Sequence, residues 1–173
     1  GLCGAVVALK VVLCLYERMG IPPEEADFFL EEAAIATVGD VMDLMGENRI
    51  LVKEGLKRLN KTANPGLRAL IRECGLEGRK ISSYHIGFVI GPCINASGRL
   101  DTAKRALALL LEEDEVKAAA LAAELKELND ERKDMTARGV EQAVEMIENG
   151  PLKEDKVLVV YLPACHESLA GII

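Results

Sequence analysis

Aromatic residues are nearly missing from this sequence: three Tyr, three Phe and no Trp among 173 residues. The core must therefore be built from Leu, Ile, Val and Ala, a palette that suits packed helices. No run of ~18 apolar residues is present, which excludes a membrane-spanning helix. The five cysteines, at positions 3, 14, 74, 93 and 165, form no CxxC pair and no Cys/His spacing suited to zinc. An odd count with scattered spacing points to reduced thiols in a cytoplasmic protein. Positive charge is in deficit, with a net charge of −7. That excludes a broadly basic nucleic-acid-binding surface, but not a local Arg/Lys cluster that does the same electrostatic work. A P-loop, a dinucleotide fingerprint and a zinc-spaced His pair are all lacking.

An initiating Met is also missing, and the sequence stops within the apolar run of "CHESLAGII" without a helix stop. Both ends read as cut, so an internal piece of a longer protein is expected. Residues 2–15, "LCGAVVALKVVLCL", share the apolar character of a secretion signal. Lys10 interrupts them, no basic leader precedes them and no A-x-A pattern follows. They are read as a buried helix.

What is present reads as helix after helix. Residues 3–19 are apolar and end at Gly20 and the Pro22-Pro23 pair; Pro23 opens a second helix with acids in its first turn. "GDVMDLMG" reads as a loop, "ENRILVKEGLKRLN" as a helix, Asn64-Pro65-Gly66 as a turn and "LRALIREC" as a short helix closed by Gly75. Ser82 or Ser83 is the expected cap of "YHIGFVI". "IGPCINASGRL", residues 90–100, is read as a loop because Gly, Pro, Asn and Ser punctuate structure. Asp101 is the expected N-cap of the helix after it. Residues 115–148 make one long helical pattern with a stripe through Leu121, Leu125, Leu128 and Met135, roughly 50 Å in length and expected to bridge two domains. Gly139 is expected to bend it or to admit a close contact. "KVLVVYLP" is the one strong strand pattern.

Three groups of residues carry candidate chemistry, each with a plain structural alternative. Asp40 follows the apolar turns "AAIATV", where a carboxylate is costly unless paired or metal-bound; it also suits an ordinary turn. Asn95, Ser97 and Arg99 offer an amide, a hydroxyl and a guanidinium fork that matches phosphate oxygens. Alternatively they make a connector whose Arg pairs with a helix acid. His166 and Ser168 follow the predicted strand, a usual ligand position in α/β folds, or Ser168 simply caps a helix. Neighbouring Cys165 or Ser168 beside His166 is weak ground for a nucleophile pair, which normally comes together through the fold. His85 reads as a satisfied core residue.

In their order along the chain these pieces resemble the RecJ family. "GAVVALK" (4–10), "ATVGDVMDLMGENRILVKEGL" (36–56), "NPGLRAL" (64–70), "IGFVIGPCINASGRLDTAKRALALLL" (86–111), "LAAELKELNDERK" and "CHESLAGII" carry the resemblance over essentially the whole chain. RecJ proteins are bacterial single-stranded-DNA-specific exonucleases of the DHH phosphoesterase superfamily. The resemblance implies a mostly α fragment of an α/β protein. Residues 1–112 would be the C-terminal helical part of a DHH domain, 113–150 the long connecting helix and 151–173 the start of a DHHA1 domain.

It further implies hydrolysis of phosphodiester bonds from the 5′ end of single-stranded DNA, in repair and recombination, with Mn2+ or Mg2+ held by Asp and His residues. Asp40 would be one metal ligand. Asn95 and Arg99 would contact phosphate or order the cleft, and His166 and Ser168 would help bind DNA. The DHH signature is not in this sequence, and one carboxylate cannot hold a metal pair, so the chain by itself is expected to be inactive. Three positions depart from the family's habit: Cys93 where Arg is frequent, Cys165 where Trp is frequent and Gly39 where Ala is common. Two other readings stand beside this one: a DHH phosphodiesterase for short oligonucleotides or cyclic dinucleotides, and a non-catalytic DHH scaffold. Apolar helix faces left uncovered would favour self-association.

Overall fold

The structure is a computed structural model that describes residues 1–173, the side chain of Leu152 excepted. Eight α-helices account for most of the described residues. α1 (Gly4–Met19) ends on Gly20 at φ 68°, a left-handed cap that glycine adopts without strain. The second predicted helix begins as a 3-10 turn at Pro23–Phe29 before it becomes α2 (Leu30–Gly39). α3 (Gly46–Leu59) and α4 (Pro65–Glu73) follow. Asn64 caps α4 by accepting the Leu67 N–H at 3.0 Å, with Pro65 at the first helical position.

Small residues set the closest approaches. A Cβ on Gly55 of α3 would lie 2.3 Å from the Leu30 carbonyl oxygen of α2, and one on Gly66 would lie 1.9 Å from the Leu109 carbonyl oxygen. Backbones therefore touch where α3 crosses α2 and where α4 begins.

The stretch read as a loop is helical. Ser82 caps α5 (Ser83–His85) through a reciprocal box with His85, a π-turn spans Ile86–Ile90, and α6 covers Gly91–Leu100. Pro92 does not break the run because it sits just after the π-turn. The Gly91 N–H reaches back to the Ile86 carbonyl, and the widened turn makes room for a residue that lacks an N–H. Asp101 is not an N-cap. It ends α6 and pairs with Arg105, while Thr102 Oγ1 accepts the Lys104 N–H at the start of α7 (Lys104–Leu111).

α8 (Glu115–Glu148) has the predicted bounds. Asp114 caps it, accepting from the Val116 and Lys117 N–H groups at 2.9 Å each. Its buried line runs Ala118, Ala122, Leu125, Asn129, one step towards the alanines from the predicted leucine stripe. Leu121 and Leu128 flank that line, half-buried. α4, α6 and α7 pack on α8 around Leu67, Leu70, Ile86, Ile90, Cys93, Leu109 and Leu125. Burying each large aliphatic side chain there contributes about 1.5–3 kcal/mol. Gly139 admits the close contact expected of it, since a Cβ there would meet Ile173 Cδ1 at 2.4 Å.

A second cluster gathers Cys3, Val6, Leu9, Ala26 and Ala33 between α1 and α2. α1 is buried on that face alone; Val7, Val11 and Leu15 are exposed. The predicted strand at 156–163 does not form, and no strand occurs among the described residues. A strand exists only by pairing its N–H and C=O groups with another, and no second strand-forming run lies elsewhere in this sequence to pair with it.

Candidate functional site

Asp40 caps the C-terminal end of α2. Its N–H donates to the Ala36 carbonyl at 2.8 Å, and its side chain lies at the surface. The next residue, Val41, sits at φ 53° and is 88% exposed. A β-branched residue in the left-handed region is strained, by roughly 1–3 kcal/mol, and persists only where its surroundings enforce it. Here the enforcement is visible. The Val41 and Met42 N–H groups donate to the Val38 and Thr37 carbonyls, both at 3.1 Å. Thr37 is fully buried and its hydroxyl donates to the Ala33 carbonyl at 2.6 Å.

The far side of the Asp40 loop is anchored by Asn48, a residue the sequence alone marks only as part of a helix. Its Nδ2 donates to the Asp43 carbonyl at 3.0 Å and to the Gly1 carbonyl at 2.9 Å.

The other candidates divide. Ser97 is fully buried and its hydroxyl donates to the Ile94 carbonyl at 2.9 Å, so it serves the helix and faces no ligand. Asn95 projects from the exposed side of α6. Arg99 is half-buried, and its Nη1 donates to the Ser168 carbonyl at 2.7 Å. Ser168 Oγ donates to the Arg99 carbonyl at 3.0 Å. His166 caps the short turn Glu167–Leu169: its Nδ1 accepts the Ser168 N–H at 3.3 Å and lies 2.7 Å from Ser168 Oγ.

The fold thus joins Arg99, His166 and Ser168 into one cluster across 69 residues of chain. No hydrogen bond or ion pair among the described residues joins Asp40 to it. His166 also lines a cavity of about 160 Å³ with Met135, Arg138, Gly139, Gln142 and Leu169. Arg138 is the cation that sequence reading passed over. Its i+3 spacing from Met135 and adjacency to Gly139 were the available signs that it shares their face.

No group of three or more His, Cys, Asp or Glu side chains among the described residues could hold a metal ion. The residues present therefore do not make a metal centre; Asp40 can supply one carboxylate. Among the described residues, no helix is long and apolar enough to cross a membrane.

No protein-family model matches the chain. The single-stranded-DNA-specific exonuclease RecJ of Thermus thermophilus is 38% identical over 172 residues, which is 98% of this chain and 24% of that protein. RecJ of Bacillus subtilis is 37% identical over 158 residues, covering 91% of this chain and 19% of its own length. RecJ of Escherichia coli is 34% identical over 185 residues, covering 99% and 32%. Among solved structures, Thermus thermophilus RecJ in complex with Mg2+ superposes with a TM-score of 0.82 at 35% identity, over 96% of this chain and 26% of that one. An exonuclease RecJ bound to manganese gives 0.82 at 36% identity, over 96% and 41%. The chain spans between about a fifth and a third of the curated relatives it matches. In sequence and in fold, nearly all of this chain is homologous to one segment of RecJ.

Proposed function

We propose that this chain is part of a cytoplasmic, metal-dependent exonuclease that hydrolyses single-stranded DNA from its 5′ end, in repair and recombination. One observation carries the reading: RecJ sequences from distant bacteria align with 91–99% of the chain, and the RecJ structures that share its fold hold Mg2+ or Mn2+. In this reading residues 1–112 are the helical end of a DHH domain, 113–150 the connector and 151–173 the beginning of a DHHA1 domain.

The side chains then take distinct parts. Asp40, presented by the strained Val41 turn, offers one carboxylate to a divalent ion whose other ligands lie outside this sequence. Asn95 faces solvent on α6 and contacts phosphate. Arg99 already donates to Ser168, so its part is chiefly to order the cleft, with its remaining N–H groups free for phosphate oxygens. His166 and Ser168 shape the opposite wall, and Arg138 adds positive charge beside them. With a single metal ligand, the chain by itself is inactive.

Strand polarity tests this reading. The full-length protein, supplied with Mn2+, is given single strands labelled at the 5′ or the 3′ end, and duplexes of the same sequence. Release of short product from the 5′ label, on single strands only, supports it. Release from the 3′ end, or cleavage restricted to dinucleotides, contradicts it.

A further inference from the structure

We propose that Cys74 and Cys93 are a peroxide-responsive thiol pair that closes to an intramolecular disulfide. The inference is independent of the nuclease reading. Cys74 sits at the C-terminal cap of α4 and Cys93 in the first turn of α6. Their sulfurs lie 3.7 Å apart although 19 positions separate them in sequence. All five cysteines are free thiols.

The two thiols are not equivalent. Cys93 is 1% exposed and sealed in the core, whereas Cys74 is half-buried and reachable from solvent. The contact with Cys93 holds the Cys74 thiol below its ordinary pKa, and Lys126 and Lys133 of α8 act in the same direction against the opposing effect of burial. The same contact, together with burial, pushes Cys93 up. An accessible thiol biased towards thiolate beside a sealed one biased against it is the division between an attacking and a resolving cysteine.

The chemistry balances with hydrogen peroxide as oxidant. The Cys74 thiolate attacks one peroxide oxygen; an S–O bond forms, the O–O bond breaks and hydroxide leaves to be protonated to water. Cys74 is then a sulfenic acid. Cys93, giving up its proton, attacks the Cys74 sulfur; the S–S bond forms and the S–O bond breaks, releasing a second water. Two thiols are oxidised and one peroxide is reduced. The sulfurs must close to about 2.05 Å, and Cys74 has freedom to move because it lies at a helix end with one side open. Burial of Cys93 keeps other thiols from competing, so the product is intramolecular. The resulting bond ties the end of α4 to α6, the helix that carries Asn95 and Arg99. A disulfide of this kind, formed transiently in a reducing compartment, is the expected form of cytoplasmic thiol sensing.

The test treats the reduced, folded protein with a small excess of hydrogen peroxide, removes the peroxide, unfolds the chain in urea with N-ethylmaleimide so that every remaining thiol is blocked, the buried Cys93 included, and digests with trypsin after dilution. Cys74 falls in the peptide 73–79 and Cys93 in the peptide 81–99. The expected result is a mass spectrum in which these two peptides are joined, separating on reduction. Cys74→Ser abolishes the joined species. Cys93→Ser leaves a Cys74 sulfenic acid that dimedone traps. Maleimide on both cysteines at a peroxide dose that oxidises exposed Cys14 would overturn the proposal. So would Cys74 advancing to sulfinic acid in the wild type with no joined peptide.

Discussion

Arg99 and Ser168 exchange hydrogen bonds: the guanidinium donates to the Ser168 carbonyl at 2.7 Å, and the Ser168 hydroxyl donates to the Arg99 carbonyl at 3.0 Å. One bond is charge-assisted and the other is neutral, and the two are not worth the same. Arg99→Ala removes the charged donor and is expected to cost roughly 1.5–3 kcal/mol of the docking of residues 165–173. Ser168→Ala leaves the Ser168 carbonyl in place for Arg99 and is expected to cost only about 0.5–1.5 kcal/mol. Hydrogen–deuterium exchange over 165–173 reads both. Faster exchange in the order Arg99→Ala, then Ser168→Ala, then wild type is the expected result, and equal exchange in all three contradicts the pairing.

The glycine contacts make a sharper stability prediction. Gly55→Ala and Gly66→Ala each drive a methyl into a backbone carbonyl, at 2.3 and 1.9 Å, so helices must part. Each is expected to lose roughly 1–3 kcal/mol by overpacking. Gly4→Ala meets open space at the start of α1 and is expected to be neutral or to gain about 0.5–1 kcal/mol. Urea unfolding of the three variants checks the contrast.

Stability should also depend on pH through Glu32. Burial raises its pKa, with a smaller push from Glu31, and its Oε2 is buried with no partner among the described residues. A raised carboxyl favours the protonated form in the folded state. The associated stability is therefore full below the ordinary glutamate range and is lost as pH rises through the raised value. Glu32→Gln keeps the shape and removes the charge. It is expected to be more stable than wild type near pH 7, with the advantage fading towards about pH 4. Thermal melts at both pH values decide it, and an advantage that grows on acidification would contradict the sign.

Self-association of the isolated chain is our fourth expectation. Val7, Val11, Leu15 and Met19 repeat every four residues along the exposed side of α1, and Val157, Val159 and Tyr161 are exposed near the other end. Apolar stripes of this kind seek cover. Sedimentation should show a mass that rises with concentration, and Val11→Lys should reduce it. A monomer at every concentration would mean that these faces stay solvated.

The helices were largely legible because periodicity and caps are local. The steady pattern over residues 115–148 predicted α8 to its ends. Residues 90–100 misled because Gly, Pro, Asn and Ser speak for turns one residue at a time. Only the preceding π-turn, which no sequence pattern announces, makes Pro92 compatible with a helix. The segment 156–163 misled for the opposite reason: its β-branched run is a real preference, but a strand is a pairing and not a property of one segment. At the site, Arg99, His166 and Ser168 were visible as residue types, yet their meeting across 69 positions was not. Arg138 was hidden among the other charges of a solvated helix, and the Cys74–Cys93 contact was hidden because no short spacing marks it.

Asp40 is proposed to serve a metal-dependent 5′ exonuclease, so its loss must abolish the activity. The most direct test incubates full-length protein with Mn2+ and 5′-phosphorylated single-stranded DNA, wild type beside Asp40→Ala, with circular dichroism to confirm that both are folded. Progressive 5′ digestion by wild type is expected, with a loss of at least about a hundredfold in the variant, since even the partners that only support a metal ligand matter on that scale. Digestion at equal rates by the two proteins would contradict it.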